Sequence, residues 1–160
     1  MKRLFWLAMV ALAFTNCSLM SPEKINVEIR YLVPEPIEGL TTGSVVSKID
    51  GDTVYVYQRV EINNSDITEA QSTTYRVHPA LVLVLNEEGA LKFSQTTRVN
   101  QGQLLGIFFN GKLIATPVIG KAVYSGKVII YGEFDRRQIE KWAAGINAAL
   151  KSNPIPQKES

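Results

Sequence analysis

The fold is decided by residues 80–134, a segment that opens with the apolar run ALVLVL at 80–85. This run is too short to cross a membrane and is rich in aliphatic and β-branched residues, so it predicts a strand buried on both faces. The sequence NEEGALKF follows from residue 86. Asn86 can cap a helix here, and the two glutamates suit the partial positive charge of its first turn. We expect this helix to end near Gly102, because glycine readily takes the left-handed conformation that stops a helix.

The second half of the segment predicts a hairpin, a strand and a helix. Asn110-Gly111 separates the apolar runs 104–109 and 112–119, and this dipeptide favours the type I′ turn, which needs positive φ at both central residues. A strand is predicted over 127–131. A final helix should follow Asp135 and Gln138, which have capping-box spacing, and its apolar positions form one stripe: Ile139, Trp142, Ala143, Ile146 and Leu150. Strand, helix, hairpin, strand and helix predict one α+β domain.

The N-terminal half of the domain predicts two further strands and a short helix. Residues 26–33 alternate between apolar and polar, and a second strand should run from Val54 to about Ile62. Ser65 or Asp66 can cap a short helix that runs to about Thr73. The strands 27–31 and 128–131 are the two candidates for an exposed sheet edge.

The N-terminus predicts export. A basic start, MKR, precedes the apolar run 4–14, which is too short to span a bilayer comfortably and is typical of a secretory signal. We therefore expect a signal peptide at 1–16, a tether at 17–25, the folded domain at 26–152 and a polar tail at 153–160. The domain should lie on the periplasmic side of the cell envelope.

Cys17 is the only cysteine and stands where the signal ends. A lone cysteine cannot form an intramolecular disulfide, and bacterial lipoproteins acylate a cysteine in this position. We favour lipid attachment at Cys17, although the preceding Phe14-Thr15-Asn16 departs from the usual lipoprotein pattern and cleavage after Ala13 stays open as the alternative. Ser18 after the cysteine favours the outer membrane over the inner membrane.

Net charge argues against nucleic acid as a partner. The whole chain has 17 basic and 15 acidic residues, and loss of Lys2 and Arg3 with the signal leaves 15 of each. Without a basic stripe, binding to a phosphate backbone has no electrostatic basis.

Catalytic and metal-binding patterns are not found in the sequence. His78 is the only histidine, so a zinc site built on histidines is excluded, and no serine lies in a Gly-x-Ser-x-Gly turn. Glu87 and Glu88 are explained by their place in a first helical turn, and Asp50 and Asp52 by a solvated turn. We therefore predict no catalytic residues, no metal site, no cofactor and no enzymatic activity.

An ordered set of motifs resembles one known domain. It comprises Glu88-Gly89-Ala90, Phe93, Thr97, Asn100 and Gly102, then Asn110-Gly111-Lys112, 115–119 and Tyr131-Gly132-Glu133-Phe134, preceded by 27–30 and 59–70. This set resembles the P1 head of SecD, an accessory subunit of the bacterial preprotein translocase. Residues 34–52 have no evident counterpart. The resemblance implies a ferredoxin-like fold, with a mixed or antiparallel sheet packed against helices, and a part in receiving exported polypeptide.

Three classes of function are consistent with these patterns. The leading hypothesis is a non-enzymatic envelope lipoprotein that binds extended polypeptide or a translocase or assembly partner, held to the membrane by its lipid and without proton coupling of its own. One alternative is an inhibitor or immunity-type module that blocks a partner protein. A small hydrolase is a further alternative. The sequence does not identify the binding surface.

Overall fold

The computed structural model describes residues 21–152, which form eight strands, two α-helices and a short 3₁₀ turn at Asn64–Asp66. The strands are β1 (Val27–Val33), β2 (Thr41–Val46), β3 (Thr53–Asn63), β4 (Ile67–Tyr75), β5 (His78–Leu85), β6 (Leu104–Phe109), β7 (Lys112–Ala115) and β8 (Lys127–Tyr131). The helices are α1 (Glu87–Val99) and α2 (Arg136–Ser152).

The strands form two antiparallel sheets that share one main core with the helices. The larger sheet has the order β2-β3-β1-β6-β7, and the smaller has the order β4-β5-β8. Helix α2 packs on β4 and β5, while α1 packs on β3 and β5. The predicted α+β domain is therefore confirmed, and the division of its strands into two sheets is an additional finding.

The predicted central strand and the helix after it are confirmed. β5 pairs with β4 on one side and β8 on the other, and most of its side chains are buried. The Asn86 side chain caps α1 by accepting a hydrogen bond of 2.8 Å from the Gly89 N–H. The helix ends at Val99, close to the predicted end. Gly102 has φ +85°, but it lies in the turn after the helix, where its N–H donates to the Ile119 carbonyl at 2.8 Å.

The predicted Asn110-Gly111 hairpin is also confirmed. These residues have φ +49° and +76°, and they connect β6 to β7. The second strand ends at Ala115, four residues before the predicted end at Ile119. Pro117 has no N–H to donate, so regular pairing stops there, and only an isolated bridge joins Val118 to Leu104.

Helix α2 has the predicted cap and the predicted apolar stripe. Asp135 accepts a hydrogen bond of 2.7 Å from the Gln138 N–H. Ile139, Ala143 and Ile146 are buried in the core, and Trp142 and Leu150 pack against it. Trp142 makes edge-to-face contacts with two phenylalanine rings, Phe109 at 5.2 Å and Phe134 at 5.0 Å between centroids.

The predicted helix from Ser65 or Asp66 to Thr73 is wrong. Asn63 caps the single 3₁₀ turn instead, by accepting a hydrogen bond from the Ser65 N–H. Residues 67–75 then extend as β4, because they pair with β5 along their whole length. Long-range pairing has decided the conformation of a segment whose own residues are mostly polar and exposed.

The sheet order corrects one of the two predicted edges. β1 lies between β3 and β6, so the strand 27–31 is internal and cannot accept another chain. β8 is an edge strand, as predicted. β2, in the region that the sequence left unassigned, is an edge strand with mostly exposed side chains.

Ordered contacts with the domain begin before residue 26. Ile25, which the sequence analysis placed in the tether, is only 7% exposed and its N–H donates to the Gly145 carbonyl at 3.0 Å. Gly145 leaves room for this contact, because a Cβ there would lie 2.5 Å from the Glu23 carbonyl oxygen. The signal peptide, Cys17 and the polar tail lie outside the described residues. Within 21–152, neither helix is both long and apolar enough to cross a bilayer.

Candidate functional site

The strand β8 presents unpaired backbone groups along one edge. The Leu85 N–H donates to the Gly126 carbonyl at 2.9 Å, which makes this the first hydrogen-bonded pair of the β5–β8 ladder. Such pairs alternate along an antiparallel ladder, so every second residue of β8 turns its N–H and C=O away from β5. These outward residues are Lys127, Ile129 and Tyr131. Within 21–152 no hydrogen bond to their backbone groups is found.

Apolar side chains accompany this edge. Ile129 is 42% exposed and Tyr131 is 49% exposed, whereas Val128 and Ile130 point into the core. The Tyr131 ring lies against Tyr75 of β4, with 4.8 Å between centroids. An extended chain lying along β8 would therefore meet both free peptide groups and exposed apolar surface.

A groove of about 780 Å³ runs beside β8. One wall is formed by the end of β8 and the residues after it, 129–134, and the other by 114–118 together with Lys48 and Ile49 of the β2–β3 turn. Most of the lining is aliphatic or aromatic, and the charged residues in it are Lys48 and Glu133. This composition suits an uncharged, extended segment of polypeptide.

The β2–β3 turn is fixed against the far wall of the groove. The Lys48 N–H donates to the Thr116 hydroxyl at 2.9 Å, and Thr116 is itself buried. Residues 34–52 had no predicted role, so their contribution to the groove was missed by the sequence analysis. No local signal could have revealed it, since the contact joins residues 68 positions apart.

The other sheet edges are less suited to strand addition. β7 has four residues and is followed by Pro117, and proline is a common protection of exposed edges. β2 carries exposed threonine and serine side chains. On β4, the Asn147 side chain of α2 occupies the backbone groups of Ala70. β8 is therefore the edge best placed to accept an extended chain.

A second concave region, near the end of α1, is a satisfied polar cluster. Glu61 is buried, and its carboxylate pairs with the Arg59 Nε at 3.1 Å and accepts from the Thr96 hydroxyl at 2.9 Å. The Tyr31 hydroxyl donates to the Thr96 carbonyl at 3.2 Å and accepts from the Asn100 amide. Burial raises the pKa of the Tyr31 phenol, with a further contribution from the nearby Glu61 charge. These bonds fasten α1 to β1 and β3, which is a structural role.

An ion pair between a buried carboxylate and a half-exposed lysine fixes the start of α1. The Asp66 carboxylate pairs with the Lys92 ammonium at 2.8 Å and also accepts from the Asn63 N–H at 3.0 Å. Hydrogen bonding to Asp66 raises the pKa of Lys92. Glu88, one of the two glutamates of the first turn, lies 3.4 Å from the same ammonium, which is a structural role.

The remaining residues considered from the sequence are dispersed. His78, the only histidine of the sequence, is exposed at the start of β5. Asp50 and Asp52 form an exposed turn in which the Asp52 N–H donates to the Asp50 carboxylate at 3.1 Å. Among the described residues, no three side chains of histidine, cysteine, aspartate or glutamate are grouped as a metal site would require.

Comparison with known proteins identifies the same family over most of the described chain. The family model for the SecDF P1 head subdomain matches residues 41–151, so the match includes much of the region that had no evident counterpart. The protein translocase subunit SecD of Sebaldella termitidis is 43% identical over 78 residues, covering 49% of this chain and 18% of that protein. The protein-export membrane protein SecD of Methanocaldococcus jannaschii is 32% identical over 126 residues, covering 72% of this chain and 30% of that protein.

Solved structures share the fold. A structure titled "Structure and function of a membrane component SecDF that enhances protein export" has a TM-score of 0.61 and 20% identity, with 84% of this chain and 66% of that chain covered. A crystal structure of SecDF in a super-membrane-facing form has a TM-score of 0.59 and 24% identity, with 84% of this chain and 20% of that chain covered. This chain spans 30% or less of the SecD proteins described above. On the match to residues 41–151, the chain belongs to the SecDF P1 head subdomain family.

Proposed function

We propose that this chain is a non-enzymatic protein of the cell envelope that binds extended polypeptide along β8. The observation that carries the proposal is the row of outward N–H and C=O groups on Lys127, Ile129 and Tyr131, beside a groove lined mainly by aliphatic and aromatic residues. The relatives support it, since they are named as subunits of a protein translocase or as protein-export proteins.

Backbone pairing suits clients of varied sequence. A strand added to an exposed edge forms main-chain hydrogen bonds whatever its side chains, and pockets beside the edge then select among them. Here the apolar lining would favour aliphatic and aromatic residues over charged ones. A contact along five residues of one strand is small, so we expect an affinity of about micromolar or weaker.

The direct test is a titration of labelled, permanently unfolded polypeptide against the protein, followed by fluorescence anisotropy. Ile129→Pro removes one outward N–H from β8 without removing a bond to β5, so it should weaken binding severalfold while the protein stays folded. Ser44→Pro is a matched control. The Ser47 N–H donates to the Asp52 carbonyl, so by the same alternation Ser44 has an outward N–H on the β2 edge, away from the groove.

Two results would contradict this proposal. Equal binding by the Ile129→Pro variant and the wild type would show that β8 is not the contact. Absence of binding at high micromolar protein would indicate instead a single folded partner, as expected of an inhibitor or immunity-type module.

We further propose that Cys17 is acylated and holds the domain at the membrane, with the outer membrane favoured. The support is the position of the only cysteine directly after a predicted secretory signal. Cys17→Ser should abolish labelling by a clickable palmitate analogue and release the domain into the soluble periplasmic fraction. A mature protein that starts at Phe14 or Ser18 and carries no lipid would overturn this assignment.

A further inference from the structure

The side chain of Asn147 bonds to the edge of β4 as a neighbouring strand would. Its amide nitrogen donates to the Ala70 carbonyl at 2.8 Å, and its carbonyl oxygen accepts from the Ala70 N–H at 2.9 Å. These are the two bonds that a residue of an added antiparallel strand would exchange with Ala70. A single side chain on α2 thus satisfies both outward backbone groups at this position.

The contact at Ala70 lies where an added strand would have to pair with β4. Ala70 is the fourth residue of β4, which runs from Ile67 to Tyr75 and is an edge of the smaller sheet. Because outward groups recur at every second residue, Ser72 and Thr74 also face away from β5. An incoming strand would need all three positions, and Asn147 already occupies the first of them.

The opposite edge of the same sheet has no such contact. Within the described residues, no side chain bonds to the outward groups of Lys127, Ile129 and Tyr131 on β8. The sheet therefore has one edge that is closed by a side chain and one that is open beside a groove.

We propose that Asn147 is a specificity-determining residue that closes β4 to added strands and so directs an extended polypeptide to β8. The claim that a client polypeptide is directed to β8 rests on the function proposed above. The claim that Asn147 blocks pairing along β4 does not, because an unprotected edge strand can also pair with the same strand of a second copy.

The test uses the full-length protein with a benzophenone amino acid in place of Ser72 on β4, or in place of Lys127 on β8. Each is irradiated with and without a permanently unfolded polypeptide. With Asn147 present, we expect client crosslinks at position 127 and few at position 72. With Asn147→Ala, crosslinks at position 72 should rise severalfold, both to the client and, without client, between copies of the protein.

A matched control separates edge closure from general loosening of the fold. Asn100→Ala also removes an amide that bonds backbone, since Asn100 donates to the Thr96 carbonyl at 2.9 Å, but it lies at the end of α1. This variant should leave the amount of crosslinking at position 72 unchanged. If Asn147→Ala is poorly folded by circular dichroism, Asn147→Leu is used, since leucine is close to asparagine in size and shape but can bond to neither backbone group of Ala70; it should give a similar increase in crosslinking at position 72.

The outcomes distinguish the two proposals. If a folded Asn147 variant shows no increase in crosslinking at position 72, with or without the client, the role of Asn147 is overturned. An equal increase in the Asn100→Ala variant would overturn it as well. Absence of client crosslinks at position 127 would count against the proposed function alone, because the copy-to-copy reaction still reports whether β4 has been opened.

Discussion

Replacing Gly145 by alanine should destabilise the protein, although alanine is the better helix former. Within a helix this exchange by itself stabilises by about 1 kcal/mol. In this fold, however, a Cβ on residue 145 would lie 2.5 Å from the Glu23 carbonyl oxygen and 2.8 Å from the Ile25 side chain. The segment that precedes β1 must therefore move away from α2.

The expected destabilisation can be worked out from the contacts that residues 23–25 would lose. Ile25 is nearly fully buried, and exposing an isoleucine costs about 1.5–3 kcal/mol. Loss of the hydrogen bond from the Ile25 N–H to the Gly145 carbonyl costs about 1 kcal/mol more. After the gain in helix propensity of about 1 kcal/mol is subtracted, Gly145→Ala should lower the free energy of unfolding by about 2 kcal/mol.

Urea denaturation of a double-mutant cycle tests this reasoning. If the clash acts through the docked segment, Gly145→Ala should cost much less in an Ile25→Ala background, where little remains to be displaced. Stabilisation by Gly145→Ala in the wild-type background would refute the argument, since it would mean that residues 23–25 do not lie against α2 in solution.

Three further changes have defined outcomes. Gly111→Val places a β-branched side chain at φ +76° and should lower the free energy of unfolding by about 1–2 kcal/mol or more. An unchanged denaturation midpoint would mean that residue 111 does not adopt this turn conformation. Gly89→Ala puts a Cβ 2.6 Å from the Asp66 carbonyl oxygen and should lower the thermal midpoint, with a loss of about 1–3 kcal/mol from overpacking. Because the pKa of Tyr31 is raised above 10.0 in the folded state, its contribution to stability is complete below pH 10 and is lost as the pH rises through the folded pKa. Wild type should therefore lose more of its unfolding free energy between pH 9 and pH 11, about one unit either side of an ordinary phenol pKa, than Tyr31→Phe does, with Tyr124→Phe, at an exposed tyrosine, as the matched control.

Elements defined by local chemistry could be predicted from the sequence. Asn110-Gly111 fixes its own turn, because positive φ at adjacent residues suits few other pairs. Asn86 forms its cap with a residue three positions away. The strand 127–131 was recognised with its observed bounds, since its apolar run is flanked by turn residues.

Features that depend on distant partners could not be predicted. β4 has mostly polar residues, and its extended form comes from pairing with β5. The strand 27–31 alternates like an edge strand, but its neighbours on both sides are supplied by later parts of the chain. Asn147 lies 77 residues from Ala70, the strand residue it contacts, and a half-buried asparagine beside the apolar stripe of α2 gives no sign of such a role. The open edge of β8 was identified only as one of two alternatives, because sheet order is not encoded locally.

The contact of Ile25 with Gly145 also limits how far the domain can lie from the membrane. With the acylation proposed for Cys17, only eight Cα-to-Cα steps separate the lipid-bearing cysteine from Ile25, which is fixed on the fold. Even fully extended, they reach about 26–29 Å, close to the thickness of a bilayer's hydrocarbon core. The Asn110 side chain accepts from the Asn26 N–H at 2.8 Å, so the hairpin end lies beside this anchor point. A lipid on Cys17 would therefore keep the hairpin end within about 26–29 Å of the membrane surface, whichever way the domain is turned.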